Sequence, residues 1–150
     1  MLLYHGTLKD YLPSIQSSGL RKGVGWGGHG SEGVFLATSK EGAMYWAKIG
    51  AVHAHNEDYG ESLDDDEYDR LPAEWKRAAV VEVRIPDSAA GKLLPDVEQA
   101  EEFGFDPEDV TLEDSLGYGA VMYPGDIPPE WVSSLSKNRR TSRRTSRRRR

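Results

Sequence analysis

The chain contains no cysteine among its 150 residues, which removes disulfides and thiolate zinc sites from any account of what holds it together. It has no apolar run near the 18 or so residues that cross a bilayer, and its N-terminus lacks a basic stretch followed by an apolar one. A cytoplasmic protein without a membrane partner is expected. Basic residues are scarce along most of the chain. Of its 19 Lys and Arg, nine lie in residues 137–150, which carry no acid; residues 1–136 hold ten against all 25 acidic residues, a net of −15 within an overall −6. A body of that sign does not draw nucleic acid by its own field, whereas the tail can. The 136 residues are enough for one core that buries roughly two-thirds of the unfolded surface, so one domain over 1–136 and a disordered Arg-rich tail over 137–150 are expected.

What is present reads as α+β. Leu2-Leu3-Tyr4 predicts a buried strand within Met1 to Gly6, ending at the glycine. A helix to about Ser18, capped by Thr7 or Asp10, would bury Tyr11, Leu12, Ile15 and Leu20, with Gly19 as its left-handed stop. Residues 23–33, GVGWGGHGSEG, have six glycines in eleven positions, too much backbone freedom for a helix or strand. That loop lacks the Gly-Lys-Ser/Thr ending of a P-loop and the spacing of a dinucleotide fingerprint; surface loop and ligand lid both stay open. Val34 to Ala37 reads as a strand, and Glu41 to about Ala51 as a helix capped by Thr38 or Ser39.

Residues 56–77 are acid-rich and read as a solvated insertion without the register of a calcium loop. Ala78 to Ile85 alternates as a strand stopped by Pro86, and Tyr118 to Tyr123 reads as the last strand, onto which Ile127, Trp131 and Val132 fold back. Trp26, Trp46, Trp75 and Trp131 are expected in core or lid packing. His29, His53 and His55 lack the spacing of a metal site, and none is expected.

His5 beside Gly6 suggests chemistry: glycine leaves one side of the backbone bare for a planar group, while an imidazole bonds a hydroxyl. The pieces Leu2-Leu3-Tyr4-His5-Gly6-Thr7, Ile15-Gln16-Ser17-Ser18-Gly19-Leu20-Arg21, Gly33-Val34-Phe35-Leu36-Ala37 and Ser39-Lys40-Glu41-Gly42-Ala43-Met44-Tyr45 resemble, in order and spacing, the ADP-ribosyltransferases. The likeness is to the catalytic domain of poly(ADP-ribose) polymerases, and Tyr-His-Gly-Thr is equally similar to the NAD-dependent RNA 2′-phosphotransferases of the same fold. It covers about the first fifty residues. The resemblance implies two small packed sheets, antiparallel or mixed, with flanking helices and a central NAD cleft. It also implies that His5 bonds the adenosine ribose, that Gly6 holds the nicotinamide carboxamide through its backbone with Thr7 nearby, that Arg21 reaches the adenosine end, and that Phe35 and Tyr45 supply ring contacts.

Three positions depart from that family. Phe35 replaces a tyrosine and keeps a ring face without the phenol. Gly42 stands where a serine would bond the carboxamide, leaving Ser39 or Thr38 as substitutes. The glutamate expected early in the late strand, where its charge would steady the oxocarbenium-like ribose, falls at Gly119; Glu113, in a loop just upstream, is the candidate in its place. The expected function is a monomeric transferase that takes NAD as substrate, releases nicotinamide and passes ADP-ribose to a protein or nucleic acid, in the manner of a toxin or phage effector. Alternatives are a silent NAD or ADP-ribose binder, a phosphotransferase-like RNA enzyme, and a nucleic-acid adaptor working through Lys137 to Arg150. That tail can equally lie on the acidic insertion.

Overall fold

Leu3 and Leu8 are both buried, and five residues apart in one strand they face opposite ways. The sheet that contains them therefore has to be covered on both sides. In the computed structural model, which describes residues 1–22 and 33–134, the strands are β1 (Leu2–Leu8), β2 (Val34–Ala37), β3 (Ala78–Arg84), β4 (Leu94–Pro95), β5 (Ala120–Tyr123) and β6 (Val132–Ser134). Between them run α1 (Leu12–Ser18), α2 (Lys40–Tyr59), α3 (Asp87–Ala90), α4 (Val97–Ala100) and α5 (Leu112–Tyr118), with short 3-10 turns. All strands lie in one antiparallel sheet in the order β4-β5-β2-β1-β3-β6. The α+β expectation stands, and the expected pair of packed sheets is corrected to one sheet.

One face packs Leu3, Leu36, Val81, Val83 and Val121 with Ile15 of α1 and Ile127. The other packs Leu8 and Ala78 under Ala47, Ala51 and Val52 of α2. Small side chains at 43, 47 and 51 repeat every four residues, and this stripe lets α2 lie close on the sheet. Ser39 caps α2 by accepting from the Gly42 N–H at 3.0 Å, and Gly60 ends it at φ 65° and ψ 27°.

Several boundaries differ from the sequence reading. β1 runs through Gly6 to Leu8 because β3 pairs with every residue of it. Tyr11 is exposed, since a 3-10 turn over Lys9–Tyr11 precedes α1 and rotates it out of the buried row. Gly19 does take a positive φ, 76°, but with ψ −163° it is not the left-handed helical stop expected. α2 continues to Tyr59, eight residues past Ala51, because Val52 and His55 keep its inner face buried. The acidic stretch is only half solvated: Asn56 clamps the Leu63 main chain through both amide atoms at 2.9 Å, and Tyr68 and Leu71 are buried, with the Tyr68 hydroxyl accepting from the Ala78 N–H at 3.0 Å. Tyr118 belongs to α5, and β6 follows β5 as a further strand.

Candidate functional site

β1 is laddered to β3 along its whole length, and β2 to β5 along its whole length, but β1 and β2 share one rung, Tyr4↔Ala37. The sheet is thus two well-paired halves joined at a point. A regular ladder from that rung would set His5 opposite Leu36 and Gly6 opposite Phe35. Instead the His5 Nδ1 lies 2.8 Å from the Phe35 carbonyl oxygen, so a side chain spans the place where main chain would have paired.

A carbonyl oxygen can only accept, so Nδ1 carries the hydrogen and donates. Burial holds the His5 pKa below its usual 6.5, against a smaller opposing pull from the bond to Phe35. At neutral pH the ring is therefore uncharged, with its hydrogen on Nδ1 and a bare lone pair on Nε2. That nitrogen is an acceptor for a hydroxyl.

The bare side of Gly6 is not open to a ligand, which corrects the reason first given for a glycine there. A Cβ at Gly6 would collide with the Ala43 carbonyl oxygen and sit 3.0 Å from the Ala47 nitrogen; the space belongs to α2. What Gly6 and Thr7 leave free of ladder pairing, among the described residues, is their edge toward β2. Thr7 pairs with Ala79 and shares its face of the sheet with His5.

The Tyr4↔Ala37 rung also fixes the rings. Phe35 and Ala37 point to the face covered by α2, whereas His5 points with Leu3 and Leu36 to the opposite one. His5 and Phe35 are joined through main chain, and their rings leave the sheet on different sides. Tyr45 lies two residues from both Ala43 and Ala47, about 200° around the helix from each. It is 59% exposed, edge-on to Trp46 at 5.1 Å.

The remaining predicted residues are spread further. Ser39 is spent as the cap of α2. Arg21 is exposed, just beyond the bridge Leu20↔Ile127. Glu113 is not in a loop: it lies in the first turn of α5, whose capping box is formed by Thr111 and Asp114. Gly119 ends that helix at φ 93°, about 9 Å along the axis from Glu113 at 1.5 Å per residue. Thus His5, Gly6, Thr7 and Phe35 meet at the junction of the halves, and Glu113 stands at the far end of α5 from the strand it was to serve.

Two residues gain roles that the sequence did not reveal. Asp126 accepts from the Lys22 N–H at 2.9 Å, across a separation of 104 residues. Glu82, inside the alternating strand β3, is half-buried and pairs with Tyr4, on the rung that joins the halves. Trp26 and His29 lie outside the described residues. Trp75 is ring-stacked with Tyr59, Trp131 meets Tyr123 edge-on, and His53 pairs with Asp65 at 3.0 Å. Among the described residues no three metal-ligating side chains converge, and no helix is long and apolar enough to cross a membrane.

No protein-family model matches this chain, and no curated protein matches it. What the junction can do follows from its donors and acceptors.

Proposed function

We propose that the chain binds NAD at the β1–β2 junction and transfers its ADP-ribose to a macromolecular acceptor. The observation that carries this is the fixed tautomer of His5: Nδ1 is held by the Phe35 carbonyl, leaving Nε2 to accept from a ribose hydroxyl. The main-chain edge of Gly6 and Thr7 toward β2, free of ladder pairing among the described residues, suits the donor and acceptor of a carboxamide. Phe35 contributes its carbonyl, which holds the His5 ring; its own ring leaves on the face covered by α2 and takes no part in this contact. In the reaction the ribose C1′–N bond breaks, nicotinamide leaves with the electron pair, and an acceptor nucleophile bonds C1′ and gives up its proton.

A second reading has its own observation. No acid stands at the start of β5, where Gly119 and Ala120 lie, and Glu113 is a helix length away. A binder of NAD or ADP-ribose that performs no transfer accounts for that equally. The test is incubation of the full chain with labelled NAD and cell lysate, followed by separate nuclease and protease treatment. Transfer predicts free nicotinamide and macromolecular label removed by one of the two. Binding alone predicts a raised Tm with NAD and no nicotinamide. Neither a Tm shift nor cleavage would end both readings. Replacing His5 by Ala is expected to weaken binding about 3- to 10-fold, the worth of one neutral hydrogen bond.

A further inference from the structure

The edge of the sheet farthest from β6 carries an aromatic face that nothing among the described residues covers. Phe103, 51% exposed, stacks on Tyr118 at 4.8 Å with planes 3° apart, and Phe105, 36% exposed, leans on the same ring at 5.7 Å. The Tyr118 hydroxyl donates to the Asp96 carbonyl at 2.7 Å, which ties the rings to the end of β4, next to Val97, itself exposed. Around them the charge has one sign. Residues 93–118 contain nine Asp and Glu, and no Lys or Arg occurs between Lys92 and Lys137.

The other acidic stretch, residues 56–77, also holds nine Asp and Glu, but three cations of its own, Arg70, Lys76 and Arg77, lie within it. In and around the acidic stretch Arg77 holds Asp58 at 3.0 Å as well as Asp10, Lys48 holds Asp69 at 3.0 Å, and His53 meets Asp65 at 3.0 Å. The rings there, His55 and Tyr59 against Trp75, with Tyr59 exposed, share their neighbourhood with Lys76 and Arg77. Flat, exposed rings within an acidic rim suit a guanidinium, which stacks on an aromatic face and bonds carboxylates at its edge.

We propose that the arginine-rich residues 137–150 dock in cis on the Phe103–Tyr118–Phe105 face rather than on the acidic stretch at 56–77. The charges match, nine basic and no acidic residues against eight acids at the surface, Asp96 being buried, and no basic one. The reach suffices. Five strand spacings separate β6 from β4, roughly 24 Å, and the 16 residues from 135 to 150 span at most roughly 53–58 Å. A tethered segment meets the face at an effective concentration on the order of millimolar, which an outside basic peptide at micromolar levels does not match. A polyanion that uses the tail has to displace it from this face first.

The absence of cysteine gives a clean test, because Ser146→Cys accepts a single nitroxide label in the full chain. Docking predicts that amide signals of 101–106 and 118 lose at least half their intensity at low salt and recover at 0.5 M salt, where exposed charges are screened. The same signals should stay sharp in Phe103→Ala/Phe105→Ala and in Glu101→Lys/Glu102→Lys, both made at exposed positions. Greatest broadening at residues 57–70, or none anywhere, overturns the proposal. So does equal broadening when labelled unenriched protein is mixed with unlabelled enriched protein, because the occupant would then be a second copy.

Discussion

Replacement of Gly6 by Ala probes the contact that seats α2 on β1. The added methyl would overlap the Ala43 carbonyl oxygen, and it would lie 3.0 Å from the Ala47 nitrogen and 3.1 Å from the Ala47 Cβ. These are backbone atoms and a short side chain in the middle of a twenty-residue helix, so no flexible group can swing aside. Overpacking of this kind costs about 1–3 kcal/mol, while a less flexible unfolded chain returns about 0.4–1. The net expectation is a loss of about 1–2 kcal/mol. For a chain of this length each kcal/mol moves Tm by about 2–4 °C, so thermal and urea melts should show a fall of roughly 2–8 °C with an unchanged m-value. Gly117→Ala is the matched control: it lies in α5 with nothing within 4 Å of an added Cβ, and should gain about 0.5–1 kcal/mol. If Gly6→Ala is as stable as the parent, α2 is not seated where the glycine contact puts it, and the account of the junction goes with it.

Three further expectations can be checked together. Ser115 is fully buried, donating to the Ala120 carbonyl and accepting from the Asp96 N–H at 2.9 Å; Ser115→Ala orphans that N–H and should cost about 1–3 kcal/mol in urea unfolding, and no loss would contradict the assigned bond. The folded His5 pKa lies below 6.5, so between the two values the unfolded chain binds more protons and stability rises with pH. Stability from His5 should begin to fall as pH drops through 6.5 and stop falling below the folded value. If the junction binds NAD as proposed, its affinity should fall around that lower value, because Nε2 then becomes a donor; a pH-independent affinity would remove His5 from the site. Arg77 bonds both carboxylate oxygens of Asp10, at 2.9 and 3.0 Å, and reaches Asp58. The pairs are largely solvent-exposed, so Arg77→Ala should cost only about 1 kcal/mol, most of it absent in 1 M salt. The Asp10 pKa is lowered, chiefly by the hydrogen bond from Arg77, so that contribution should be present above 3.8 and fade as pH falls further.

The local elements were legible because their signals are local. A short apolar run marked β2, alternation marked β3, a cap at Thr38 or Ser39 marked the start of α2, where the structure uses Ser39, and Tyr-His-Gly-Thr singled out His5. Where the reading strayed, the deciding partner was distant in sequence. β1 passes through Gly6 because β3, more than seventy residues on, pairs with it throughout. Helix α5 went unseen because its cap and its packing on β4 and β5 outweigh a short and weakly patterned segment.

Composition and order by themselves determined a cysteine-free α+β chain with an acidic body, a basic tail and a histidine beside a glycine early in the first strand. Only the tertiary structure decided that the sheet is continuous yet held at its middle by one rung, that α2 fills the space over Gly6, and that Phe35 and His5 leave by opposite faces. Register is the physical reason: one residue of offset between neighbouring strands sends a side chain to the other side of a sheet. No sequence motif records which residue of β2 stands across from Tyr4.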